Sequence, residues 1–593
     1  MPSLRLLFFL PFVLWACSPT AEEEHPLSAN ERAWWKEGIV YQVYPRSFQD
    51  TDGDGVGDLK GILQRVDYLD RLGIDIIWLN PIYGSPNDDN GYDISDYQAI
   101  MEGFGTMADF DTLLAALHDR GIRLVMDLVV NHTSDEHEWF QQSRASRDSP
   151  YRDYYHWWDA ENGEPPHRAG FFDPEGKGWL YDEPTNAYYL HYFGRKQPDL
   201  KWETPKMRQE IYEMMHWWLK KGVDGFRMDV IPFISKDTTW PIVTEMELLE
   251  RYQRNIWPAY YASGPNLHSY LQEMNREVLQ AYDMMALGEG AGVTIDNAVD
   301  FVAKERNELD LFFHFDAVKM GYSKELGYKM LDSAWFDLIQ FKDIHTQWSD
   351  VFAEQGWGSI YLGNHDQPRM VSRWGNDAPE HRAHSAKLLH TFLLSMRGTP
   401  FIYYGDELGM TNLRFDSIEQ YRDIETLSWH SQLVSQGIDP APYLEGWKIT
   451  ARDNGRSPFQ WDDTENGGFT DGIPWLQVNE NYQEINAAAQ EHDPTSVLNY
   501  FRRMVEIRHA HPALVYGDYH VILPEHDHIY AYRRILKDDR MLILLNFSDE
   551  LSVMSLPSSY HTGEVVINNY PEVKKVNNTI TLQPYQAVIW NLD

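Results

Sequence analysis

The chain has 593 residues, enough for about three to five domains of ordinary size or for one large barrel with appendages. Its 43% hydrophobic and 24% charged residues describe a globular protein and exclude a disordered one. With 51 Lys+Arg against 90 Asp+Glu the formal charge is −39, and no basic run relieves it, so nucleic acid and anionic membrane surface are excluded as partners.

A single cysteine rules out an intrachain disulfide framework and any zinc site built from several cysteines. It is Cys17, which follows Arg5 and an apolar run from Leu6 to Ala16 that is too short to span a membrane. Leu14-Trp15-Ala16-Cys17 resembles the lipobox of bacterial lipoproteins. The expectation is an exported protein with a signal peptide at 1–16, a lipidated Cys17, and a polar, acidic tether to residue 33. The lipid is its sole membrane contact.

From Ile39 onward, short apolar runs alternate with amphipathic stretches, the pattern of β/α units around a parallel sheet. Strands are predicted at Ile39–Phe48, Ile74–Pro81, Arg123–Val130, Gly225–Ile231, Ala286–Gly290, Leu311–Asp316, Ser359–Asp366 and Pro400–Gly405. Eight of them make an α/β (β/α)8 TIM barrel. The first is followed by DTDGDGVGD, where Asp50, Asp52, Asp54 and Asp58, with the Val56 carbonyl, offer hard oxygen ligands to a metal ion. Gly61 at the twelfth position, where an EF-hand needs a bidentate Glu, excludes that motif. Between the second and third strands, Met107 to Arg120 places Phe110, Leu113, Leu114 and Leu117 on one helix face.

Two spacings are irregular. The stretch after the third strand is too long for one helix and reads as an inserted subdomain at 132–203, which divides the barrel into 34–131 and 204–511. Thr411 to about Asn486 is a second long, polar stretch. From 512 to 593 the pattern changes to short β runs, predicting a C-terminal antiparallel β-sandwich.

In such barrels the chemistry projects from the C-terminal ends of strands. Those ends carry Asp127 and His132, Arg227 and Asp229, Glu289, and His365 with Asp366. A lone Asp there is more often structural; four strand ends together point to a site. Paired carboxylates suit glycoside cleavage, one ionised as nucleophile and one protonated for the leaving oxygen. Arg227, two residues from Asp229, would hold that carboxylate ionised, although a structural Arg–Asp pair has the same spacing.

These blocks, with SPNDDNGYDISDY (Ser85–Tyr97), QPDLKW (Gln197–Trp202), GFRMDVIPFISK (Gly225–Lys236) and RDNGRSPFQWDD (Arg452–Asp463), resemble glycoside hydrolase family 13, the α-amylase superfamily, in its oligo-1,6-glucosidase and α-glucosidase branch. The resemblance runs from about Trp34 to the C-terminus. It implies a retaining mechanism with Asp229 as nucleophile, Glu289 as general acid/base and Asp366 as the third carboxylate. It places Asp89, Tyr92, His132, Phe193, Gln197, Arg227, His365 and Arg456 around the first glucose, with Asp89 and Arg456 gripping the non-reducing end and making the enzyme exo-acting. Val230 after the nucleophile tilts it toward α-1,6 bonds. The Asp50–Asp58 loop resembles the branch's structural Ca2+ loop; no organic cofactor is implied.

Gly290 and the Leu362-Gly363 pair depart from the relatives and predict extra room at the rim, while Lys319–Ser323 lacks the arginine-rich loop of isomaltulose synthases. The expected partner is a short α-gluco-oligosaccharide and the expected state a monomer. The alternatives are a glucosyltransferase or a trehalose- or sucrose-acting enzyme of the same family, and a non-catalytic glycan-binding lipoprotein. An exported acidic protein is a poor home for a phosphorylated cytoplasmic substrate.

Overall fold

A computed structural model of the chain describes residues 27–28, 31–252, 255–333, 335–557, 560 and 563–592. Cys17 and the segment expected to be its export signal lie outside them. Among the described residues, no helix is long and apolar enough to cross a membrane.

All eight predicted barrel strands form, seven of them shorter than the predicted run and the fifth of equal length but one residue earlier: β1 Val40–Val43, β2 Ile76–Leu79, β3 Arg123–Leu128, β4 Gly225–Met228, β5 Met285–Glu289, β6 Leu311–Phe313, β7 Ser359–Ile360 and β8 Thr399–Tyr403. They pair in parallel in the order β6-β5-β4-β3-β2-β1-β8-β7. Side chains close the seam between β6 and β7: Ser359 Oγ donates to Phe312 O (2.9 Å) and Tyr361 OH to His314 O (2.6 Å). Alternate residues point inward, so Val40, Ile76, Trp78, Val125, Leu287, Leu311, Phe313 and Phe401 fill the barrel. Arg227 lies on top of this apolar plug, its guanidinium 5.1 Å from the Trp78 ring.

The helix predicted after β2 spans Met107–His118, opened by a Thr106/Asp109 capping box and buried at Phe110, Leu113, Leu114 and Leu117. After β3 the predicted insertion forms its own antiparallel three-stranded sheet (Trp157–Asp159, Trp179–Asp182, Ala187–Leu190). At the C-terminus, β9 Asp518–Ile522, β10 Ile529–Leu536, β11 Asp539–Asn546, β12 Ser552–Ser555, β13 Gly563–Asn568, β14 Lys574–Val576, β15 Thr579–Leu582 and β16 Ala587–Leu592 form two antiparallel sheets, β9-β10-β11-β16-β13 and β12-β15-β14. They share an apolar core that includes Leu542, Leu544, Ile580 and Val588, as the predicted sandwich requires.

Candidate active site

Arg227, fully buried at the end of β4, organises the centre. Its Nη1 lies 2.7 Å from Asp127 Oδ1 and 2.8 Å from Asp229 Oδ1, and its Nη2 lies 2.9 Å from Glu289 Oε2. One cation thus faces three buried carboxylates. Burial raises the pKa of Asp229, Arg227 pulls it down, and Glu289 and Asp127 push it up again. Glu289 is likewise raised, by burial first, against Arg227 and with Asp366 adding repulsion. Both carboxyls are thus held above the usual carboxylate range, with burial as the largest cause.

The third carboxylate behaves oppositely. Burial would raise Asp366, but His365, Arg452, Arg456 and Lys329 outweigh it and hold the carboxyl well below the usual range. Burial keeps the His365 ring itself neutral. The two guanidiniums, 3.0 and 3.2 Å from Asp366 Oδ1, and the Lys329 ammonium therefore carry the effect at working pH. The His365 ring stacks on Tyr92 (5.2 Å, 5°), whose hydroxyl lies 2.7 Å from His365 Nε2.

The arginine that meets Asp89 is Arg452, which the sequence reading did not single out. Its Nη2 lies 3.5 Å from Asp89 Oδ1, while its other contacts are Asp366, Asp423 (2.5 Å) and Glu425 (3.1 Å), with the Phe172 ring 4.8 Å beneath it. Arg456 sits behind, donating to His365 O at 2.8 Å. Asp89 is pushed up to about 7 by burial, against Arg452 and Arg456.

The insertion supplies the far wall. Gln197 Nε2 donates to Asp89 Oδ2 (3.0 Å), and Phe193 lies against the His132 ring (5.1 Å) and Phe172 (5.4 Å). Burial lowers His132 to about 3, so its ring is neutral.

Val230 is not the ordinary strand residue its type suggested. β4 ends at Met228, and Val230 adopts a left-handed backbone (φ 34°, ψ 43°) that a β-branched residue avoids, at a cost of about 1–3 kcal/mol. The turn aims its N–H at Glu289 Oε2 (2.9 Å), so the strained residue also holds the acid. The room expected from Gly290 is not there: a Cβ would lie 2.7 Å from Phe312 Cδ2 and 2.7 Å from Phe313 O. The space a side chain would need is taken by β6. Gly363, with nothing closer than 3.7 Å, does leave space.

In the loop after β1, oxygens of Asp50, Asp52 and Asp58 lie within 4.8 Å of one another, a hard-oxygen donor set that fits a divalent cation. Asp54 is outside this cluster and accepts from Val56 N (2.7 Å). The loop docks on the long segment after β8: Thr470 Oγ1 donates to Asp50 Oδ2 (2.5 Å) and Trp475 N to Gly55 O (3.0 Å).

A parallel barrel whose rim carries a carboxylate pair on one arginine, and a third carboxylate held between two more, is the framework of a sugar-cleaving hydrolase. The alpha-amylase catalytic-domain family model matches residues 42–517, and the model of the alpha-amylase SusG C-terminal domain matches 529–589. The chain belongs to this alpha-amylase family, glycoside hydrolase family 13, in its oligo-1,6-glucosidase and α-glucosidase branch. It is 50% identical over 568 residues to the oligo-1,6-glucosidase of Parageobacillus thermoglucosidasius, covering 95% of this chain and 99% of that one. It is 46% identical over 564 residues to the alpha-glucosidase of Pediococcus pentosaceus, covering 94% and 99%. Among solved structures it is similar to the trehalulose synthase MutB from Pseudomonas mesoacidophila MX-45 (TM-score 0.90, 45% identity, 95% of this chain and 100% of that one). The protein is therefore an α-glucosidase-type glycoside hydrolase.

Proposed function

We propose that this hydrolase is exo-acting and retaining, and that it removes terminal glucose from short α-glucans with a preference for α-1,6 bonds. The observation that supports the reading is the linked group of Asp89 with Arg452 and Gln197, and of Phe193 with His132, which would close the pocket beyond the Arg227-bound carboxylates. A closed wall admits a chain end and not a chain middle. Asp229, in its carboxylate form beside the Arg227 guanidinium (2.8 Å), would attack the anomeric carbon while Glu289 passes its proton to the departing glycosidic oxygen. Glu289 then takes a proton from the water that displaces Asp229. Asp366, kept ionised by its arginines, accepts from sugar hydroxyls and balances charge on the oxocarbenium-like transition state. The Asp50, Asp52 and Asp58 cluster would hold a structural Ca2+, away from these steps.

A sucrose-isomerising activity finds less support, since the segment Lys319–Ser323 carries no arginine. The test is glucose release from isomaltose and maltose by wild type and Val230→Thr. We expect isomaltose to be cleaved several-fold faster by wild type and the ratio to fall by roughly tenfold in the variant. Faster maltose cleavage by wild type would overturn the linkage preference and keep the mechanism. No glucose from either would overturn the substrate class.

A further inference from the structure

Lys236 lies seven residues beyond the nucleophile in the loop leaving β4 and is only 2% exposed. Its ammonium has three partners: Asn131 Oδ1 (2.8 Å), Phe233 O (2.8 Å) and Asp199 Oδ2 (3.2 Å). An ammonium only donates, so the Asn131 amide must turn its oxygen to Lys236 and its NH2 the other way. There it meets His132, with Asn131 Nδ2 3.1 Å from His132 Nδ1. Nδ1 must accept, and the single proton of the neutral ring is left on Nε2, which donates to Tyr92 O at 3.1 Å.

A competing arrangement exists, although it would set the Nε2 lone pair against Tyr92 O. Gln197 Nε2 lies 3.3 Å from the same His132 Nε2 and would donate to it if the ring proton moved to Nδ1 and Asn131 turned over. The amide of Gln197 is itself held, its Oε1 accepting from Gly194 N (2.8 Å) and its Nε2 donating to Asp89. The donor-only charge of Lys236 forbids the flip of Asn131, and two acceptors side with it: the Asp199 carboxylate, which also bonds the Asn131 amide, and Tyr92 O, which takes the proton on Nε2.

We infer that Lys236 is a positioning residue that acts through Asn131 to help lock His132 as its Nε2–H tautomer, so that beside Gln197 and Asp89 the ring presents an N–H, shared between Tyr92 O and a sugar hydroxyl, instead of a lone pair. The inference rests on the exo-glucosidase pocket proposed above. It makes a 105-residue separation in sequence part of one hydrogen-bond relay.

Asn131→Asp separates this role from simple support of the fold. A carboxylate keeps an acceptor for Lys236 but cannot donate to Nδ1, so it forces the other tautomer with the ion pair retained. Both Lys236→Met and Asn131→Asp are expected to lower kcat/KM on 4-nitrophenyl α-glucoside by roughly tenfold to a hundredfold. Neither change should cost anything further in a His132→Gln background, because a glutamine amide has no tautomer to select. Wild-type activity in Asn131→Asp, or the same fold loss from either variant in the His132→Gln background, would overturn the inference. Should Lys236→Met fail to fold, Asn131→Asp decides alone. Long-range 15N spectra of histidine-labelled protein, with the His132 signal assigned by its loss in His132→Gln, report the tautomer directly. They are expected to show Nε2–H in wild type and Nδ1–H in Asn131→Asp, and Nδ1–H in wild type would overturn the inference. That readout needs no turnover, so it stands apart from any failure of the proposed substrate.

Discussion

At the scale of single residues, Arg452 is the side chain on which the pocket's charge pattern turns. It touches Asp89, Asp366, Asp423 and Glu425 from one guanidinium, and a lysine offers no fork to do the same. Arg452→Lys is expected to lower kcat/KM on isomaltose by roughly a hundredfold or more, since it leaves buried carboxylates short of a partner. The pH profile gives an independent check. Asp89 has a raised pKa of about 7, so it gains a proton, and loses its power to accept from a sugar hydroxyl as an ionised group, as pH falls through 7. The kcat/KM of wild type should therefore decline on the acid side of about 7. Arg452 is the largest influence lowering that pKa, so Arg452→Met should move the acid limb to higher pH. A limb that stays in place would show that another group controls it.

At the scale of elements, the loop after β1 fastens the barrel's first strand to the long segment following its last. Gly55 shows how closely they meet: at φ +92°, a Cβ there would lie 1.8 Å from Ile473 O. Three carboxylates clustered at this junction repel one another without a cation, and binding one to the folded state alone stabilises that state. A chelator is expected to lower the melting temperature by about 5 °C or more, with Ca2+ restoring it and Asp52→Asn abolishing the response. An unchanged melting temperature would make the loop a solvated turn. The inserted subdomain serves the site differently, since its Gln197 and Phe193 reach across to Asp89 and His132 and complete a wall that the barrel strands leave open.

At the scale of the whole molecule, the C-terminal sandwich is built into the barrel. Arg534, fully buried on β10, donates to Ser395 O (2.5 Å), Leu514 O (2.8 Å), Val515 O (3.1 Å) and Gly517 O (2.9 Å). Lys342, from the barrel helix after β6, donates to Leu523 O (3.1 Å) and His526 O (2.5 Å). Stopping the chain after residue 517 would strip Lys342 of these acceptors and bare the apolar surface beneath the sandwich. The truncated protein is expected to be insoluble or unfolded, and the full chain to melt in one calorimetric transition. Two separated transitions would show that the units fold independently.

The eight barrel strands, the buried face of Met107–His118, and the carboxylates at the strand ends were legible in the sequence, because hydrophobic period and strand-end position are local properties. So was the company Arg227 keeps with Asp229, two residues away on β4 and its end. Tertiary structure alone decided which arginine of the Arg452–Arg456 pair meets Asp89, because four residues of loop carry no periodic signal and a short 3-10 turn at Arg452–Asn454 sets the direction. It also decided that Val230 turns left-handed to hold Glu289, that Phe312 fills the space beside Gly290, and that Lys236 reaches Asn131. Each of these depends on a neighbour brought in by another strand or loop, and a sequence read along its own length does not show which side chains the barrel's closure will set face to face.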